Sequence, residues 1–283
     1  MKPISLNDVV RWSPWPARLL GAAPWSVPDR VVEKVDHEYD KNKYARCREF
    51  YNATTPLPDP EAVKRFEFEA APESALCISI GDELFEASLQ EARQQAAALL
   101  VETLRPVLAD CRTVVEYGCG YGYNLWTLSQ HFPGLTFRGG DYSANAVELA
   151  AGLYRQTPRI RVARFNFYDE STYGMLDDAP APVVAFTCHA LEQLPSAVAF
   201  IDSLAKHRRN IRDVFHFEPV VQLHEESLLA LMRRRYVEAN DYNRDLLSAL
   251  QARSFVRIVE TRGDVVGLNP FNPTSVIHWQ FVP

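Results

Sequence analysis

The residues best placed for chemistry begin at Val114-Val115-Glu116-Tyr117, an apolar β-branched run that passes at once into Gly118-Cys119-Gly120-Tyr121-Gly122 and opens onto Tyr123-Asn124. Read as a buried strand, a turn and the start of a helix, the segment puts three glycines where the backbone must pass close to a ligand. Glycine lacks the Cβ that would forbid such conformations. In an open α/β sheet the crevice beyond the strand C-termini is the expected ligand site. The spacing discriminates between ligands, because a dinucleotide fingerprint G-x-G-x-x-G would need its third glycine at position 123, which is Tyr123. Further along, Phe137-Arg138-Gly139-Gly140-Asp141-Tyr142-Ser143 puts a carboxylate at the end of the next strand. Such an aspartate can accept two neighbouring hydroxyls, and taken alone it could equally begin a turn or cap the following helix.

The segment Glu116 to Gly122 resembles motif I of the class I S-adenosylmethionine-dependent methyltransferases, whose E/D-x-G-x-G-x-G is matched by Glu116, Gly118, Gly120 and Gly122. The resemblance covers roughly the last 175 residues. It implies S-adenosylmethionine as cofactor, held by the motif I segment with Cys119 and Asn124, the ribose on Asp141 and the adenine flanked by Tyr142. Where many members carry an aspartate for the adenine amino group, this chain has Asn166, a departure; its amide oxygen can still accept, with Phe167 beside it and Asp169 the alternative. Thr187-Cys188-His189 resembles the stretch that follows the fourth strand over the cofactor. The N/D-P-P-Y/F and Pro-Cys motifs of several base- and amide-methylating enzymes are absent.

Methyl transfer from a sulfonium consumes positive charge, so alignment and exclusion of water are most of the task. A base serves only nucleophiles that must lose a proton. His189 and His216, each near the C-terminal end of an expected strand, are the candidate bases, with Glu218 able to orient a histidine or bind an amine. The same strand ends offer too few hard oxygen ligands for a metal, so none is expected. The acceptor pocket is expected to draw on the tyrosine-bearing N-terminal helix (Tyr39, Tyr44), on Tyr236 and its neighbours to Asn243, and on Asn272 in the loop Asn269-Pro270-Phe271-Asn272-Pro273-Thr274. Each of these also reads as packing aromatics, a helix turn or a rigid surface loop.

Strand and helix patterns alternate from Thr113 to Phe217, which implies βαβ units and a parallel sheet with helices on both faces. Two helical segments, Glu225 to Ala239 and Asp241 to Ala252, then lead into a final hairpin of Val256 to Glu260 and Ser275 to Phe281. The expected fold is a Rossmann-like class I methyltransferase sheet, mostly parallel with its last strand antiparallel. Residues 109–283 would form that domain and residues 1–108 a helical lid or appendage. In the latter, Val31, Val35 and Tyr39 recur at helical spacing, Thr54 to Pro60 breaks the pattern, Glu61 to Phe68 resumes it, and a helix from about Ala87 to Leu104 leads on.

Of the 283 residues 47% are hydrophobic and 23% charged, an ordinary globular composition. A net charge of -6 argues against a broad cationic nucleic-acid surface, and the basic runs Lys206 to Arg212 and Arg233 to Arg235 read as solvated helix surface. Five scattered cysteines with no C-x-x-C pair suggest neither disulfides nor a zinc site and fit a reducing compartment. The opening Met1 to Asp8 lacks an apolar signal core, and no stretch approaches a membrane span. These observations imply a cytoplasmic methyltransferase acting on oxygen or nitrogen of a small molecule. The alternatives are a peptide or protein carboxylate as acceptor, or a partner protein that binds the cofactor without turnover; a nicotinamide oxidoreductase is disfavoured by Tyr123.

Overall fold

The computed structural model describes residues 1–28 and 32–282. Val31, the first of the helically spaced positions above, lies outside them. The chain opens with a short strand β1 (Lys2–Ile4) and helix α1 (Trp15–Leu19), then α2 (Val32–Asp36), a π-helical segment His37–Tyr44, α3 (Ala45–Ala53) and α4 (Pro60–Phe68). Asp59 caps α4 and Pro60 starts it, where a missing N–H costs nothing. Next come a hairpin, β2 (Ala75–Ile80) and β3 (Glu83–Ser88), and the long α5 (Leu89–Leu108), begun by a Ser88/Glu91 capping box.

The alternating part follows as β4 (Thr113–Tyr117), α6 (Tyr123–His131), β5 (Thr136–Asp141), α7 (Ala144–Leu153), β6 (Ile160–Arg164), β7 (Val183–Cys188), α8 (Val198–Lys206) and β8 (Ile211–Glu218). The chain ends with α9 (Leu228–Ala239), α10 (Leu246–Gln251), β9 (Val256–Gly267) and β10 (Thr274–Phe281). Among the described residues ten strands join one sheet in the order β1-β3-β2-β9-β10-β8-β7-β4-β5-β6. From β8 to β6 the pairing is parallel, and β10 inserts antiparallel between β8 and β9, with Ile277 opposite His216.

The sheet departs from the expected mostly parallel one, since four pairings are parallel and five antiparallel. The reason lies in the N-terminal third, which is not helical alone. The β2–β3 hairpin turns at Gly81-Asp82, with Gly81 at φ +59°, and β2 docks on β9 through Ser79 and Ile80. The sequence carried the signal: Leu76-Cys77-Ile78-Ser79-Ile80 and Glu83-Leu84-Phe85 flank a two-residue turn.

All five residues of β4 are buried because helices cover both faces of the sheet. On one face Val114, Phe137 and Phe186 pack with Leu100, Leu104 and Leu128; on the other Val115, Tyr117 and Trp279 pack with Phe200, Ile201 and Leu250. One residue of the basic runs breaks the expectation of solvated surface. Arg233 is wholly buried, because Asp82, Asp264 and two carbonyls converge on its guanidinium.

Candidate functional site

The turn after β4 holds Gly118, Gly120 and Gly122 at φ +75°, +55° and +80°, the left-handed region that disfavours side chains. A Cβ on Gly118 would fall 2.4 Å from the Ala190 Cβ, and one on Gly120 2.4 Å from the Tyr44 hydroxyl. Asp141, at the C-terminal end of β5, fixes this turn: the Gly120 N–H donates to its Oδ2 at 2.6 Å and the Ser143 N–H to its Oδ1 at 2.8 Å. Burial pushes the Asp141 carboxyl up, against the pull of these two amides.

Glu116 faces the same space from β4. The Asn124 amide donates to its Oε1 at 2.7 Å, while Oε2 is buried with no partner among the described residues. Burial raises this carboxyl to about 8 despite the Asn124 bond.

The N-terminal segment His37–Tyr44 lies over the turn and is latched by Asp40. Its carboxylate accepts from the Ser143 hydroxyl at 2.5 Å and the Asn145 N–H at 2.9 Å, at the start of α7, where the helix dipole favours an anion. Burial pushes Asp40 up, but hydrogen bonds from Lys41, Ser143 and Asn145 outweigh it and hold the carboxyl well below its usual range.

After β7 the chain turns at His189, which adopts φ +50°. Its Nδ1 meets Glu192 Oε2 at 3.0 Å and its Nε2 meets the Thr274 hydroxyl at 2.7 Å. Burial alone would lower the imidazole, but the Glu192 carboxylate and its hydrogen bond, with Glu218 behind them, raise it. Asn272 donates its amide to the same Glu192 oxygen at 3.1 Å and its own Oδ1 has no partner among the described residues.

Two chambers meet at Tyr39, Tyr44, Gly118 and His189. The smaller, 150 Å³, is bounded by Asp141, Tyr142, Asn166 and Phe167. The larger, 440 Å³, is bounded by Glu116, Cys119, Gly120 and Asn124 on one side and Glu192, Asn272 and Thr274 on another, with Ala96, Leu99 and Leu100 of α5 as its apolar wall. Lys43, Lys64, Glu67 and Arg93 complete it. Sequence reading singled out none of these four, nor Asp40 or Glu192, and reached Thr274 only as the end of the expected acceptor loop, because Asp40 and Thr274 act through partners 103 and 85 positions away and nothing local sets the others apart from surface charges.

Several expected residues stand outside the chambers or are engaged with the protein itself. Gly122 shapes the turn but packs against Val162 and Tyr154. Thr187 and His216 are fully buried and bond each other at 2.9 Å, and the second His216 nitrogen accepts from Trp279 at 2.9 Å. Burial drives His216 down to about 3. Glu218, raised to about 7 by burial, accepts the N–H groups of Ala190, Leu191 and Glu192 and so shapes the loop carrying His189. Tyr236 packs among Trp15, Tyr242 and Phe271, away from both chambers. The Asn166 Oδ1 accepts the Tyr168 N–H at 2.9 Å, and Asp169 caps the turn at Ser171. Among the described residues no group of three His, Cys, Asp or Glu is placed to hold a metal ion, and no helix is long and apolar enough to cross a membrane.

No protein-family model and no curated protein matches the chain. Solved structures do. Magnesium protoporphyrin IX methyltransferase from Synechocystis PCC 6803, with bound S-adenosylhomocysteine, is 15% identical over 69% of this chain and 87% of that one, at a TM-score of 0.48. Geranyl diphosphate C-methyltransferase from Streptomyces coelicolor A3(2) is 14% identical over 69% and 81%, at 0.46. An O-methyltransferase from neocarzinostatin biosynthesis is 16% identical over 66% and 57%, at 0.44. Within this chain, the run β6-β5-β4-β7-β8-β10-β9 with the glycine turn after β4 is the Rossmann-like part of the sheet.

Proposed function

We propose that this chain is an S-adenosylmethionine-dependent methyltransferase that methylates an oxygen or nitrogen of a small molecule, with residues 109–283 binding the cofactor and residues 1–108 supplying a lid. One observation carries the reading: a positive-φ glycine turn ends β4 beside Asp141 at the end of β5, and two joined chambers open on either side of Gly118.

The residues present fit the cofactor. Asp141 spends one lone pair of each oxygen on a backbone amide, which leaves others for two ribose hydroxyls. Tyr142 and Phe167 offer flat faces to an adenine in the smaller chamber. The unpartnered Glu116 oxygen suits an ammonium group, and the glycine cradle leaves room that any side chain would fill.

When bound, the cofactor supplies an electrophilic methyl group on a sulfonium centre. His189 would take the proton of the acceptor through Nε2, in the place the Thr274 hydroxyl now holds, while Glu192 fixes the ring and stabilises its charge. The lid segment and the apolar α5 wall exclude water from that space. In this reading the step needs no metal. A chamber of 440 Å³, within the range of about 300 to 1,000 Å³ usual for small-molecule sites, supports a small acceptor.

Calorimetric titration with S-adenosylmethionine, S-adenosylhomocysteine and NAD tests the reading. Both adenosyl compounds should bind and NAD should not, and Asp141→Ala should bind about 100-fold more weakly through loss of charge-assisted bonds. Well-folded protein that binds neither adenosyl compound would sink it.

A further inference from the structure

The charged wall of the larger chamber has an arrangement that the proposed proton transfer does not use. Lys43 Nζ and Lys64 Nζ, from the lid segment and from α4, both pair with one carboxylate, Glu67, at 2.7 Å and 2.9 Å. The Tyr121 hydroxyl donates to Glu67 at 2.9 Å, so this anion is fully engaged. Burial pushes the Glu67 carboxyl up, yet the two ammonium groups outweigh it and hold it well below its usual range. Nearby Arg93 is matched by Glu61 at 2.8 Å. Two cations thus share one anion, and each ammonium has donors beyond the one it spends on Glu67. In the same chamber Glu116 Oε2 is a buried acceptor without a donor among the described residues.

A surplus cation and an unanswered carboxyl in one chamber are the complement of a zwitterion. We propose that this wall recognises an α-amino-acid group, its carboxylate taken by Lys43 and Lys64 and its ammonium by Glu116. Resting on the methyltransferase reading, this assigns the wall to the methionyl end of the cofactor. The lid then completes the cofactor site through Lys43, and the acceptor is left to the His189, Asn272 and α5 side of the chamber.

The test compares affinities for three probes by calorimetry: S-adenosylhomocysteine, its decarboxylated analogue, which keeps the ammonium, and 5′-methylthioadenosine, which lacks the whole amino-acid group. Lys64→Met and Lys43→Met, each leaving Glu67 one lysine partner, should weaken S-adenosylhomocysteine about tenfold. Both variants should bind the two carboxylate-free probes as the wild type does, and Lys64→Arg should restore most of the lost affinity. If both methionine variants bind S-adenosylhomocysteine at wild-type strength, the lysine assignment fails while the methyltransferase reading stands. Equal losses for 5′-methylthioadenosine would trace the effect to the adenosine site and also overturn the assignment. Wild-type protein that binds none of the probes overturns both.

Discussion

Two buried polar clusters in this molecule use similar side chains to opposite ends. In the knot around Arg233, the guanidinium joins α9 to Asp82 and Gly81 of the β2–β3 turn, Asp264 of β9 and the Pro270 carbonyl before β10, and Asp264 also holds His224 Nδ1 at 2.8 Å. Around the cleft, Glu116, Asp141, Glu192 and Asn272 line the two chambers, but Glu116 Oε2 and Asn272 Oδ1 stay unanswered among the described residues and both residues face the larger chamber. In the knot, His224 Nε2 is unanswered among the described residues, and His224 faces neither chamber. A buried polar group without a partner costs free energy, so on the proposed reading the two beside the chamber are completed by a ligand, whereas groups that answer one another hold elements together.

The contrast can be broken most forcefully from the cleft side. On the proposed reading, His189→Gln should cut turnover of a methyl acceptor that must lose a proton by about 10²- to 10⁴-fold while leaving the melting temperature close to wild type. His189 works as a base only when neutral, and its folded value is raised, so the wild-type rate should climb with pH through a midpoint above 6.5, the ordinary histidine value. A flat profile over that range would remove His189 from the mechanism.

Arg233→Ala should do the reverse. Removing the centre of a wholly buried ion cluster strands Asp264 and costs about 3 to 5 kcal/mol of stability in denaturant titration. A loss below about 1 kcal/mol would show that the knot is not what ties the hairpin to the sheet.

Glu116→Gln sharpens the comparison by pH. The Glu116 carboxyl is raised from 4.5 to about 8, so the folded chain keeps a proton that the unfolded chain releases, and ligand-free stability falls as pH rises across that window. The glutamine variant should lose less and exceed wild type at pH 8 by on the order of 2 kcal/mol, read from thermal unfolding at a series of pH values. Equal slopes in the two proteins would mean that Glu116 is not the group responsible.

Asp40→Ala should have the smallest effect, about 1 kcal/mol, by removing the acceptor that ties the His37–Tyr44 segment to the start of α7. Asp40 is held low, so its contribution is present above the ordinary carboxylate value and fades as pH falls below it. Faster proteolysis of the His37–Tyr44 segment in the variant, with the rest of the chain protected, is the expected signature.

The alternating elements from β4 to β8, the glycine turn and Asp141 were legible in the sequence because their signals are local. Buried strands read as apolar runs, and left-handed backbone demands glycine within a few residues of the strand end. The β2–β3 hairpin was equally local in its signal, yet its merger with β9 was not, since pairing through Ser79 and Ile80 depends on a strand nearly 190 positions away.

The remaining features were decided only by tertiary structure. Asp40 meets Ser143 across 103 positions, and Arg233 meets Asp82 across 151. Nothing near Arg233 distinguishes it from Arg234 or Arg235; what buries it is a pocket of acceptors that exists only once three distant elements have packed. His189 and His216 likewise look alike at two strand ends, and the fold separates them, one at the meeting of two chambers and the other sealed between Thr187 and Trp279. Sequence alone determined where the backbone could bend around a ligand; which polar side chains were left open to meet it was a matter of which partners packing brought within reach.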